Sequence, residues 1–130
     1  MILLDTHVVV WLASGDPRIS SRAQAAIHEA RGSDRGLAIS DFTLFELSQL
    51  FRKKKFQLTV DPDSFLSDVE RRFVVLPITA NIALQAFELP ASYPKDPADR
   101  IIGATALVED MPLVTADRGI RKSRVVQTIW

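Results

Sequence analysis

The sequence predicts an α/β fold, with a mostly parallel β-sheet flanked by helices on both faces. Short and wholly apolar segments, such as residues 2–4, have the composition of strands that are buried on both faces. Segments with the apolar spacing of helices separate them along the chain. At 130 residues, the chain is long enough for one hydrophobic core and too short for two, so we expect one domain over residues 1–130.

The predicted elements follow the order strand, helix, helix three times and end with two further strands. Capping residues mark several helix starts: Ser40, Asp61 and Asp96 each precede a helical segment. Capping-box spacing at Ser21 and Gln24 marks another. In chain order, the predictions are strand 2–4, helix 6–13, helix 21–32, strand 37–39, helix 41–54, helix 62–72, strand 74–78, helix 79–89, helix 97–107, strand 113–115 and strand 125–129.

The composition excludes several classes of protein. Without cysteines the chain has no disulfide framework and no thiolate metal site, and a reducing cytoplasm fits it. The first residues lack a basic leader and the apolar runs are short, so we expect neither a signal peptide nor a membrane span. The formal net charge is zero, which argues against binding nucleic acid by charge alone. A basic block at residues 52–55 is expected to be a solvated helix end.

Three acidic residues are predicted to meet at one edge of the sheet. Asp5 follows the first strand, Asp117 follows the strand at residues 113–115, and Asp99 lies in the first turn of a helix. In a parallel α/β sheet, the carboxyl ends of strands and the amino ends of helices share the edge where ligands bind. Each acid alone is explained by capping or a turn, but their common position favours a functional site.

Glu46 is the fourth acid of this predicted site. It is the only acid between Phe42 and Val60, and it interrupts an otherwise apolar helix surface. Clustered, buried carboxylates repel each other, so such a pocket favours a bound cation. Because its ligands are oxygens, without cysteine or a histidine cluster, the expected ion is Mg²⁺ or Mn²⁺. Such an ion can stabilise charge on a phosphodiester and orient an attacking water.

Four segments in this order carry a resemblance to a known family. They are LLDTH at residues 3–7, IS at 39–40 with FE at 45–46, DPADRII at 96–102 with ATA at 104–106, and LVTADR at 113–118. The chain resembles the PIN-domain family, and within it the VapC toxins of toxin–antitoxin pairs. The resemblance implies a Mg²⁺- or Mn²⁺-dependent ribonuclease whose acidic quartet is Asp5, Glu46, Asp99 and Asp117.

The resemblance also implies supporting residues and partners. Thr115, together with Thr6 and Asp96, would support the quartet, Thr115 by hydrogen bonding and Asp96 as a helix cap beside the metal. Arg100 and Arg118 flank the acids, and each is a candidate for contact with RNA or for pairing with a carboxylate. The implied partners are the RNA substrate, a small antitoxin that covers the site, and a second copy of the chain in a homodimer.

Other residues near the quartet have structural explanations. His7 is expected to face solvent in the first helical turn, with contact to RNA or metal as the alternative. His28 is expected to be structural. Trp11, Phe42 and Phe45 are expected in the core, although antitoxins of the family dock on hydrophobic helices from this half of the chain.

Two other functions stay open. A catalytically silent binding module can have the same fold, and it would not bind divalent metal. A phospho-receiver signalling domain is also a small α/β domain with an acidic Mg²⁺ pocket, but it needs paired acids after the first strand, where Asp5 stands alone. It also needs a phospho-accepting aspartate after a central strand, where residues 74–78 run into Thr79.

Overall fold

The computed structural model describes residues 1–54 and 60–130, which form five strands and seven helices. The strands are β1 Ile2–Leu4, β2 Leu37–Ser40, β3 Val74–Leu76, β4 Leu113–Val114 and β5 Thr128–Ile129. The helices are α1 Thr6–Ser14, α2 Ser21–Gly32, α3 Asp41–Arg52, α4 Pro62–Arg72, α5 Ala80–Glu88, α6 Pro97–Val108 and α7 Arg118–Ser123. None of these described helices is both long enough and apolar enough to cross a lipid bilayer.

The strands form one sheet in the order β3-β2-β1-β4-β5, and every neighbouring pair is parallel. The central strand is β1, where Leu3 pairs with Ala38 on one side and Leu113 on the other. The chain builds outward from β1 to β3 and then returns to place β4 on the opposite side of β1. The carboxyl ends of β1 and β4 therefore flank the point where the strand order reverses, which is where open α/β sheets bind ligands.

Helices cover both faces of the sheet, as predicted. Successive strand residues point to opposite faces, so Leu4 and Val114 belong to one buried cluster and Leu3 and Leu113 to another. Helices α1 to α4 contribute to the first cluster, and helices α6 and α7 to the second. Their buried members include Val8, Ile27, Leu47 and Val69 in the first cluster, and Ile102, Ala106 and Ile120 in the second.

The last part of the chain differs from the prediction. Helix α7, which was not predicted, lies between the last two strands because Asp117 caps it by accepting a hydrogen bond from the Ile120 N–H at 2.9 Å. Gly119, a poor helix former, weakens the sequence signal of this short helix. The predicted strand at 125–129 is correspondingly reduced to Thr128–Ile129.

Two other boundaries shift for local reasons. Helix α2 is capped by Ser20, whose hydroxyl accepts from the Ala23 N–H, one residue before the predicted capping box. Strand β3 ends at Leu76 because Pro77 has no N–H to donate to a neighbouring strand. The predicted caps Ser40, Asp61 and Asp96 are confirmed, since each side chain accepts a backbone N–H at the start of its helix.

A close contact fixes the start of α6. The hydroxyl of Tyr93, which is buried, donates to the backbone carbonyl of Asp99 at 2.7 Å. Gly103 lies beneath this hydroxyl, and a Cβ at that position would overlap it. The small residues of α6 therefore admit a tyrosine that holds the first helical turn, the turn that carries Asp99.

Candidate active site at the carboxyl edge of the sheet

Asp5 is held rigidly at the end of β1. It is 5% exposed and caps α1, with Oδ1 accepting the Thr6 N–H at 2.8 Å. Its other oxygen, Oδ2, accepts the Thr115 hydroxyl at 2.7 Å. Both carboxylate oxygens are thus oriented, one by Thr6 at the start of α1 and the other by Thr115 just after β4, and each keeps a lone pair for a further contact.

Thr115 connects two of the predicted acids. It directly follows β4 and is fully buried. Its hydroxyl donates to Asp5 and also accepts the backbone N–H of Asp117 at 3.0 Å. Asp117 in turn caps α7. One buried threonine therefore fixes the position of Asp117 relative to Asp5.

Asp99 is the carboxyl with the most perturbed acidity at this edge. It lies in the first turn of α6, where its N–H donates to Oδ1 of Asp96 at 3.1 Å. Burial raises the pKa of Asp99 to about 7, and the negative charges of Asp5, Asp117, Asp96 and Glu46 act in the same direction. The other three acids of the predicted quartet, and Asp96, therefore lie near enough to Asp99 for their charges to act on it.

Glu46 joins this environment from α3. The Thr6 hydroxyl donates to Glu46 Oε1 at 2.5 Å, and it lies 3.1 Å from the hydroxyl of buried Thr43. Burial raises the pKa of Glu46, and the charges of Asp5 and Asp96 raise it further, although the Thr6 hydrogen bond opposes this. Thr6, the residue after Asp5, therefore joins the start of α1 to helix α3.

A cavity of about 580 Å³ opens over these side chains. Four acids line it, contributed by β1, α3 and α6, while Asp117 stands outside the lining. The other lining residues belong to α1, α3 and the start of α6. The lining includes Asp5, Thr6, His7, Phe42, Phe45, Glu46, Gln49, Lys53, Asp96 and Asp99.

The donor set fits a hard divalent cation, but the carboxylates do not converge on one ion position. Among the described residues, no three His, Asp or Glu side chains lie in a geometry that could hold a metal ion. Electrostatic repulsion acts over longer distances than ligation, so the acids can raise the pKa of Asp99 without this convergence. Oxygen ligands and uncompensated negative charge match Mg²⁺ or Mn²⁺.

His7 is half-buried, with 32% of its side chain exposed, so the prediction that it faces solvent holds only in part. Its Nε2 accepts the Ala116 N–H at 3.0 Å, and its Nδ1 lies 3.6 Å from Oδ2 of Asp5. Its ring centroid lies 5.0 Å from that of Trp11 and 6.4 Å from that of Trp130. Sequence reasoning missed this role because these contacts join the two ends of the chain.

Arg100 does not reach the site, which corrects its candidacy for RNA contact. Its guanidinium donates to three backbone carbonyls around the end of α5, at 3.0 to 3.4 Å, and these belong to Ala86, Leu89 and Pro94. Arg118, the other arginine candidate, is exposed at the start of α7. It takes part in none of the ion pairs between described residues.

Of the aromatic residues predicted in the core, Trp11 and Phe42 are partly buried and Phe45 is exposed. Trp11 packs against the core cluster, as expected, and Phe42 is half-buried. Phe45 is 56% exposed, so its assignment to the core is wrong. His28 is exposed on α2, where it serves no core. Of the basic block at residues 52–55, the first three members are exposed and Lys55 lies outside the described residues.

A family model described as PIN domain matches residues 2–125. The chain belongs to the PIN-domain family. Over 131 aligned residues it is 37% identical to Ribonuclease VapC22 of Mycobacterium tuberculosis, covering 99% of this chain and 98% of that protein.

The PIN fold is also seen in solved structures. VapBC2 from Rickettsia felis, bound to a DNA fragment from its promoter, has a TM-score of 0.73 and 19% identity, covering 98% of this chain and 97% of that one. A toxin–antitoxin complex from Klebsiella pneumoniae has a TM-score of 0.64 and 23% identity, covering 90% and 87%. At these identities the likeness establishes the fold, and the predicted PIN domain is confirmed.

Proposed function

We propose that this PIN domain is a divalent-metal-dependent endoribonuclease and the toxin of a toxin–antitoxin pair. The observation that carries the proposal is the electrostatics of the quartet, in which burial and four neighbouring carboxylates raise the pKa of Asp99 to about 7. Such a pocket calls for a cation at neutral pH. Identity of 37% to a protein named Ribonuclease VapC22 supports RNA as the substrate.

Each residue of the site has a distinct task in this proposal. Mg²⁺ or Mn²⁺, held by Asp5, Asp99 and Asp117 with Glu46 directly or through a water, would stabilise charge on the phosphodiester and favour ionisation of a bound water. Thr115 orients Asp5 and the backbone of Asp117. Thr6 orients Glu46 in the lining of the same cavity, and Asp96 holds the first turn of α6.

The proposed reaction is hydrolysis of an internal RNA phosphodiester. Water attacks phosphorus in line with O3′, the P–O3′ bond breaks, and the products carry a 5′-phosphate and a 3′-hydroxyl. Solvent in the open cavity removes the proton that the water loses and supplies the proton that O3′ gains. The carboxylates act by position and charge, so amide substitutions should strongly lower activity while keeping the shape of the side chains.

The test is cleavage of single-stranded RNA with Mg²⁺, with Mn²⁺ and with EDTA. Asp5→Asn and Asp117→Asn should each lower the rate by about 100-fold or more, because each removes charge where the reaction develops it. Asp34→Asn, in the exposed loop between α2 and β2, is the matched control and should cleave like the wild type. Equal cleavage by the two site variants would overturn the proposal, provided that thermal unfolding shows all proteins folded.

A catalytically silent binding module is the second candidate, favoured by one observation. No three candidate ligands converge in a metal-holding geometry among the described residues. Calorimetric titration with Mn²⁺ separates the two candidates. Binding that disappears in Asp99→Asn supports the nuclease, and no binding to the wild type supports the silent module.

The proposal includes two protein partners. A small antitoxin would cover the site, in keeping with the complexes among the structural neighbours, and a second copy would form a homodimer. Light scattering of the purified chain reports the homodimer as twice the mass of 14.5 kDa. Co-purification from the native host, followed by mass spectrometry, identifies the antitoxin as a small protein in stoichiometric amount.

A further inference from the structure

One face of α3 extends the cavity wall beyond the carboxylates. Residues three or four positions apart lie on one face of a helix. The cavity-lining residues of this helix with that spacing are Phe42, Phe45, Glu46, Gln49 and Lys53, the last of which caps the carboxyl end of α3. Along α3, this wall therefore presents two aromatic rings and the Glu46 carboxyl first, then the Gln49 amide, and finally the Lys53 amine.

An exposed aromatic ring stands beside the acidic quartet. Phe45 precedes Glu46, is 56% exposed and lines the same cavity. Its ring packs against Phe42 at a centroid distance of 5.6 Å and an angle of 46°, so one side of the ring is supported by the protein. Unpaired nucleobases stack on supported aromatic rings of this kind, whatever their sequence.

A cation lies further along the same wall. Lys53 is seven residues after Glu46, roughly 10 Å along the helix axis at 1.5 Å per residue. It takes part in none of the ion pairs between described residues, and it is exposed. A ring for a base and an amine for a phosphate match a single nucleic-acid strand, whereas an apolar protein segment would need only the ring.

We propose that Phe45 and Lys53 bind an unpaired stretch of the RNA substrate. The base next to the scissile phosphate stacks on Phe45, and Lys53 binds a phosphate further along the strand. Paired bases are stacked within their own helix and cannot present a face to Phe45. This inference rests on the proposed ribonuclease activity and adds two strand-binding residues on the wall of α3, Phe45 for a base and Lys53 for a phosphate.

Stacking is tested by binding, in EDTA, of a single-stranded oligonucleotide that carries 2-aminopurine, whose fluorescence falls on stacking. Phe45→Ala should weaken binding about 10-fold and abolish the fluorescence change, while Phe45→Trp should restore both. Phe87→Ala is the matched control, because Phe87 is 84% exposed on α5 and outside the cavity lining. It should behave like the wild type.

The charge is tested by the salt dependence of the same binding. Lys53→Gln should reduce the slope of log affinity against log salt by about 0.7, the value for one phosphate contact on a single strand. Lys122→Gln, on exposed α7 surface, is the control and should leave the slope unchanged. In cleavage, the wild type should cut a single strand or hairpin loop at least 10-fold faster than a blunt duplex.

Three results would overturn the inference. One is that Phe45→Ala binds and quenches like Phe87→Ala. Another is that duplex and single strand are cut equally. The third is that Phe45→Ala leaves RNA binding intact and weakens only binding of a protein partner, which would assign this wall to that partner. Failure of the ribonuclease proposal is distinguishable, because the wild type would then cleave no RNA, whereas fluorescence in EDTA reports stacking without catalysis.

Discussion

His7 connects Asp5 to the segment that carries Asp117. Its Nε2 accepts the N–H of Ala116, the residue between Thr115 and Asp117, and its Nδ1 approaches Asp5. Acceptance at Nε2 places the ring hydrogen on Nδ1, the side of Asp5. His7 is therefore a positioning residue for the segment that carries Asp117.

We expect His7→Ala to lower kcat about 10- to 100-fold, the effect of removing a group that orients metal ligands. The KM for RNA should stay within about threefold, because the binding wall on α3 is untouched. Single-turnover and steady-state cleavage assays measure both. His28→Ala, at an exposed position on α2, is the control, and a His7→Ala enzyme with unchanged kcat would contradict the positioning role.

The positions of three of the predicted acids in the fold followed from the sequence, and the contacts around them did not. Asp5 and Asp117 follow strands and Asp99 begins a helix, so parallel topology alone brings them to one edge. The ring of His7 depends on contacts with Trp11 and Trp130, and the exposure of Phe45 depends on how α3 sits over the cavity. Such side-chain positions follow from tertiary packing, for which short motifs carry no signal.

At the level of elements, α5 and α6 are joined by Arg100. Its guanidinium donates to carbonyls that a helix leaves unpaired at its carboxyl end. The planar fork reaches several carbonyls at once, which a lysine amine cannot reproduce. The arginine therefore couples the end of α5 to the first turn of α6, next to Asp99.

We expect Arg100→Lys to lower the free energy of unfolding by about 1.5–3 kcal/mol, the usual range for hydrogen bonds from charged groups. Urea denaturation followed by circular dichroism measures it. Arg118→Lys, whose side chain is exposed, should change stability by less than about 0.5 kcal/mol. Equal stability of the two variants would show that the carbonyls at the end of α5 are satisfied by solvent instead.

Helix α7 is the one described helix that the sequence did not predict. Long segments with clear caps, such as α4 and α6, were located to within a residue or two, because Asp followed by Pro specifies a helix start. The six residues of α7 include Gly119 and carry almost no apolar periodicity. What makes them helical is the cap from Asp117 and the burial of Ile120 between strands, which are tertiary conditions.

Burying the acids of the quartet makes the stability of the whole molecule depend on pH. The pKa of Asp99 rises from 3.8 to about 7, and the pKa of Glu46 also rises, both mainly through burial. At pH values between 3.8 and about 7, Asp99 keeps a proton in the folded state that it has lost in the unfolded state. Stability without metal therefore falls as pH rises through this window and levels off above about 7.

We expect Asp99→Asn to remove most of this slope. In EDTA the variant should gain stability relative to the wild type as pH rises from 4 to 7, because only the wild type must ionise a buried carboxyl. Thermal unfolding at several pH values measures the difference. With Mg²⁺, the wild type should be stabilised more at pH 8 than at pH 5. Parallel pH profiles of the two proteins would contradict the assignment of the raised pKa to Asp99.

The position of β1 in the middle of the sheet has a consequence for synthesis of the chain. Its neighbour β4 begins at residue 113, and only then does Thr115 become available to Asp5. A nascent polypeptide on the ribosome thus carries Asp5 from the start and can pair β1 with β2 early, but it lacks β4 and Thr115 until translation is nearly finished. A chain that ends before residue 113 lacks both β4 and the hydroxyl that orients Asp5, so we expect it not to assemble this cluster of acids.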